Sequence, residues 1–155
     1  MTDIKILTSF KKNLVDFFDE LIQQFPRDSE LIIIRTFIQH QAIIDLLMKK
    51  FTTSINKSVS INNKQVQVRT LISTRDESLF INHNLFFFCE KDHDDNTPES
   101  RTINKDNANH FKTLWLSGRL DKDDKEVVWN WLNSFVELAD KFTKTVNIKN
   151  SKTIK

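Results

Sequence analysis

The chain has one glycine, two prolines, one cysteine and no tyrosine among its 155 residues, and each shortage narrows what the protein can be. With one glycine there is no room for a Gly-rich phosphate loop or for the strained turn of a nucleophile elbow. Turns that need φ above zero must rely on Asn and Asp instead. So few turn-formers favour helices joined by short polar loops over a sandwich or barrel. The lone Cys89 cannot form an intramolecular disulfide, and Lys5, Lys11 and Lys12 interrupt the apolar residues that a secretory leader would need. A reducing, intracellular compartment is therefore expected. No run of about 18 apolar residues occurs, so no membrane span is expected. Charge of one sign is also lacking: a net charge of +2 with 28% charged residues gives no whole-protein field to attract nucleic acid.

What the chain does have is phenylalanine, thirteen of them, nearly all of its aromatic content and without a polar handle. A chain of this length suits one domain and can bury about 68–70% of its unfolded surface. Leu7, Phe10, Leu14, Phe17, Phe18, Leu21, Ile22 and Phe25 repeat at three and four residues and draw one stripe down an amphipathic helix. Pro26 ends it. Asp28 then caps a second helix, expected to run from Ser29 to about Phe51 as the central helix of the fold, with His40 in a polar gap of its pattern.

From Thr52 to Thr74 two readings compete. Val59, Ile61, Val66 and Val68 alternate around Asn62-Asn63 and fit a short hairpin. The alternative, a loop followed by a helix from about Asn63 to Ser73, is preferred, because an isolated hairpin is only marginally stable. Thr74 or Asp76 caps a short segment carrying Leu79 and Phe80. Beyond it lies the densest apolar run, Leu85-Phe86-Phe87-Phe88, whose side chains must point in different directions. Any part of that run left uncovered is a candidate protein-interaction surface.

Glu90 to Lys105 reads as an exposed acidic loop. Asp92-His93-Asp94-Asp95-Asn96 begins like a calcium loop, but Thr97 and Ile103 occupy the positions where glycine and an acid are required. Cys89 with His93 or His83 supplies too few ligands for structural zinc. No metal and no cofactor are expected. The next helix, over Asn107 to Leu120, carries Phe111, Leu114 and Trp115, with Gly118 placed for a left-handed C-terminal residue. Asp121 caps the last helix, whose core stripe is Val128, Trp131, Leu132, Phe135, Leu138, Ala139 and Phe142. Trp129 lies off that stripe and either covers a neighbouring helix or serves as an exposed interface anchor.

After Phe142 the residues Lys144, Lys149, Lys152 and Lys155 stand among Thr, Asn and Ser. This reads as a basic, frayed tail over 143–155, attached to a helical domain over 1–142. Without arginine or an aromatic for stacking, binding of nucleic acid by these lysines would be weak and salt-dependent. Catalysis needs groups held together in one place, and the scattered histidines and carboxylates announce no such set.

Three segments give the chain a resemblance. Phe17-Phe18-Asp19-Glu20-Leu21-Ile22-Gln23-Gln24-Phe25-Pro26-Arg27-Asp28, Arg75-Asp76-Glu77-Ser78-Leu79-Phe80 and Lys125-Glu126-Val127-Val128-Trp129-Asn130-Trp131-Leu132 together resemble a family of small helical proteins encoded by giant and other nucleocytoplasmic large DNA viruses. The stretch from Ser54 to Val68 and the acidic loop depart from that pattern. The resemblance implies a virus-encoded helical protein of the host cytoplasm or virion, and it carries over no catalytic residue.

These readings converge on an all-α, single-domain bundle of about five helices, with a short hairpin in the middle third left open. The expected function is non-enzymatic: protein–protein interaction through Phe86, Phe87, Phe88 or Trp129, as a virion component or host-interaction factor, with self-association open. The alternative is a nucleic-acid-associated factor using Lys144, Lys149, Lys152 and Lys155.

Overall fold

A computed structural model describes residues 3–40, 43–81 and 112–153, with side chains through residue 147. The fold is an all-α bundle with one short hairpin. Phe86 to Phe88, the acidic loop and Lys155 lie outside the described residues.

Helix α1 spans Asp3–Gln24 and buries Ile6, Phe10, Leu14, Phe17, Phe18 and Leu21, the stripe expected from the sequence. The chain turns at Pro26, with Phe25 N–H donating to the Leu21 carbonyl (3.0 Å) and Asp28 N–H to the Phe25 carbonyl (3.0 Å). Asp28 Oδ1 then accepts from Leu31 N–H at 3.1 Å, the expected N-cap of α2 (Ser29–His40).

The expected central helix is two helices, because α2 stops at His40 and α3 begins at Ile44 and runs to Asn56. The buried residues explain the break. Leu31, Ile34 and Ile38 of α2 and Leu47, Met48, Phe51 and Ile55 of α3 would point about a third of a turn apart on one straight helix. Interrupting the helix lets both sets reach the core.

The preferred helix from Asn63 is also corrected. Strands β1 (Ser58–Ile61) and β2 (Lys64–Gln67) pair antiparallel, with Val59 opposite Val66 and Ile61 opposite Lys64. Asn62 and Asn63 form the turn with φ of 52° and 66°, the left-handed pair that a two-residue hairpin loop demands and that asparagine tolerates. Val59, Ile61 and Val66 lie against the core, so the hairpin is not isolated. Only at Val68 does helix α4 (Val68–Ser73) begin, burying Val68, Leu71 and Ile72. Its end is a Schellman turn: Asp76 N–H reaches the Leu71 carbonyl (2.9 Å) and Arg75 N–H the Ile72 carbonyl (3.2 Å), with Arg75 left-handed at φ 55°. Asp76 Oδ1 then accepts from Ser78 N–H (3.0 Å) at the start of the one-turn helix α5 (Ser78–Ile81).

A helical turn over 112–115 leads through Gly118, at φ 82°, to the last helix, α6 (Lys122–Thr153). Asp121 and Asp124 cap each other's N–H groups at 2.8 and 3.1 Å, a reciprocal capping box. Helix α6 extends well past Phe142, which corrects the expected frayed tail. Val146 continues the buried spacing of Ala139 and Phe142 by one more turn and packs against the core.

Helices α1 and α6 run antiparallel. Phe10 meets Phe135 (ring centroids 5.8 Å apart), Phe17 meets both Phe135 (5.8 Å) and Trp131 (6.4 Å), and Phe51 of α3 joins Phe10 at 5.8 Å. Arg69 fastens α4 across the bundle, donating to both oxygens of Asp140 (3.1 and 3.2 Å) and to Asn56 Oδ1.

Candidate functional site

Between the C-terminal part of α1 and the start of α6, an open groove of about 240 Å³ lies beside Leu120. Its floor is apolar, made by Phe17, Leu21, Leu120 and Val128, all buried. Its rim carries Glu20 from α1 and Asp124, Val127 and Trp131 from α6. The Trp131 indole is half-buried, and its Nε1–H donates to Glu20 Oε2 at 2.7 Å, so ring and carboxylate hold each other in place. Val127 is 43% exposed. No lysine or arginine lines this groove, and neither Glu20 nor Asp124 has an ion-pair partner among the described residues.

A second depression lies on the other side of Leu120, lined by Arg75, Glu77, Lys125, Glu126 and Trp129. Lys122 lines it as well, and here both carboxylates are paired with cations. Arg75 pairs with Glu126 at 2.7 Å and Lys125 with Glu77 at 3.2 Å, while the Lys125 ammonium also lies 4.9 Å from the centre of the Trp115 ring. Beneath them Trp115, Phe80 and Trp129 form an aromatic cluster with centroids 4.2 to 5.5 Å apart. The Nε1–H of Trp115 is buried there without an acceptor among the described residues.

Trp129 is only 4% exposed and covers its neighbours, which is the first of the two readings the sequence left open for it and leaves no exposed anchor there. Trp131, read as core, is half-buried: it packs against the core and also lines the groove. Helix α6 is contacted by α1, α3 and α4, which makes its buried face wider than one stripe. Phe86, Phe87 and Phe88 fall outside the described residues. Lys144 is exposed on α6; positions 149 and 152 belong to the same helix.

The groove residues Glu20 and Val127 were not singled out from the sequence, although Val127-Val128 held a hint: two adjacent valines on a helix cannot both face one core. A separate apolar set remains uncovered on the α2–α3 arm, where Ile32 and Ile33 are 44% and 42% exposed, and Ile43 and Leu46 are 68% and 42% exposed. Among the described residues no group of three or more His, Cys, Asp or Glu side chains is placed to hold a metal ion. Among them, too, no single helix is long and apolar enough to cross a membrane.

The chain matches no protein-family model, no curated protein and no solved structure.

Proposed function

We propose that this chain is a non-enzymatic helical protein that acts through protein–protein interaction. In this reading it is virus-encoded, as the resemblance of its three segments implies, and works inside the host cell or in the virion. The observation that carries the interaction reading is the pair of uncovered aliphatic sets, Ile32 with Ile33 on α2 and Ile43 with Leu46 at the start of α3. Monomers rarely leave such clusters bare without a use for them. Association through this arm, with a second copy or another protein, would bury them.

Size-exclusion chromatography with light scattering tests this over a concentration series. A mass that rises with concentration in the native protein and stays monomeric in Ile33→Asp and Ile43→Asp supports the reading. A clean monomer whose behaviour is indifferent to both substitutions counts against it.

A second reading, a nucleic-acid-associated factor, draws support from the length of α6. At 100° per residue, positions 141, 144, 149 and 152 fall within an arc of about 140° on that helix. Lysines so aligned would meet phosphates better than a frayed tail would. Filter-binding titrations at two salt concentrations, with and without the residues after Phe142, decide it. If removing them makes no difference to binding, the second reading fails.

A further inference from the structure

The geometry points to the α1–α6 groove as a docking site for a peptide segment of another protein, one that presents a large aliphatic side chain next to a lysine or arginine. This deepens the protein-interaction reading and rests on it, but it uses a surface separate from the α2–α3 arm.

The argument begins with charge. Both depressions beside Leu120 draw on α6, yet only one pairs its carboxylates with cations. Glu77 and Glu126 are each matched by a cation of this chain, whereas Glu20 and Asp124 have none among the described residues. Of the nearby cations, Arg119 lies over the Phe25 ring (5.8 Å), Lys125 is held by Glu77 and the Trp115 ring, and Lys122 lines the other depression. An acidic rim without an internal counter-charge selects a basic ligand and repels a phosphate backbone.

The shape adds to this. At about 240 Å³ the groove falls below the ~300–1,000 Å³ typical of small-molecule pockets, and it is open to solvent. It suits side chains of a segment lying across it. An aliphatic side chain would fill the floor over Leu21 and Val128 and cover Val127. The neighbouring cation would meet Glu20, one oxygen of which is already fixed by the Trp131 indole while the other has no partner among the described residues. The face of that half-buried indole offers the same cation a second attraction.

Fluorescence anisotropy with labelled peptides of alternating Leu and Lys, Leu and Glu, and Ser and Lys tests the assignment on the full chain. The Leu/Lys peptide is expected to bind, the Leu/Glu peptide not to, and the Ser/Lys peptide to bind more weakly for want of the apolar contact. Glu20→Gln, which keeps the acceptor for Trp131, should weaken Leu/Lys binding by about fivefold, the scale of one exposed ion pair. Val127→Lys, at an exposed position that the fold does not depend on, should weaken it further.

Equal binding of the Lys and Glu peptides, no binding of either, or unchanged affinity in both variants overturns the proposal. So does displacement of the Leu/Lys peptide from the groove by double-stranded DNA. The Ile33→Asp/Ile43→Asp protein separates the two readings. If it still binds the peptide, the groove is the site. If it loses the peptide, binding belongs to the α2–α3 arm, and the groove assignment falls while the interaction reading stands.

Discussion

Trp129 and Trp131 are two residues apart on one helix and meet opposite surroundings. The side of α6 that carries Trp129 is sealed: three aromatic rings in contact, with ion pairs laid over them. The side that carries Trp131 is left ajar, with an apolar floor, a half-buried indole and carboxylates lacking cations. The same residue type at nearly the same place is therefore enclosed on one side and borders an open groove on the other. Neighbouring elements decide which: Phe80 of α5 and Trp115 of the turn over 112–115 cover Trp129, whereas Trp131 meets Phe17 and Glu20 of α1 and borders the groove.

The contrast can be broken by substitution. Trp129→Ala should cost about 3–5 kcal/mol of unfolding free energy, since it empties the sealed cluster, and urea denaturation would show it as a large fall in midpoint. Trp131→Ala should cost distinctly less, and equal losses would mean that the two sides are alike. Asp121→Ala removes half of the capping box that starts α6 below both sides, with an expected loss of about 1 kcal/mol in the same measurement. Arg75 sets two effects against each other. Arg75→Ala should lose up to about 1 kcal/mol from the ion pair with Glu126. Arg75→Gly should lose less, because glycine relieves the left-handed backbone. Smallest of all, Glu20→Gln should shift stability by no more than about 0.5 kcal/mol, as an exposed site on the open side. A larger shift would mean that Glu20 holds the fold together.

Most of the fold was legible where one residue pattern had one explanation. Helix α1 buries the stripe that its spacing draws, Asp28 and Asp121 cap the helices they precede, and Gly118 takes the positive φ that its place requires. Legibility failed where two partners competed for one helix. The Ile-rich segment after Ser29 looked like one helix contacted on several sides, and it is two helices that each bury one side. The hairpin was underrated because support for Val59 and Val66 comes from the bundle, which local sequence does not display. The groove was invisible for a similar reason. Glu20 and Trp131 are 111 positions apart in sequence, and no local pattern announces that they meet.

The Trp115 indole, buried in the aromatic cluster, and the Trp131 indole, bonded to a carboxylate at the surface, also make the protein its own optical instrument. Trp115 and Trp129 should emit to the blue and resist iodide, while Trp131 should emit to the red and be quenched. Only one of the three lamps then stands where a partner would cast a shadow. A spectral change on mixing, confined to the quenchable fraction, would locate the contact without any label.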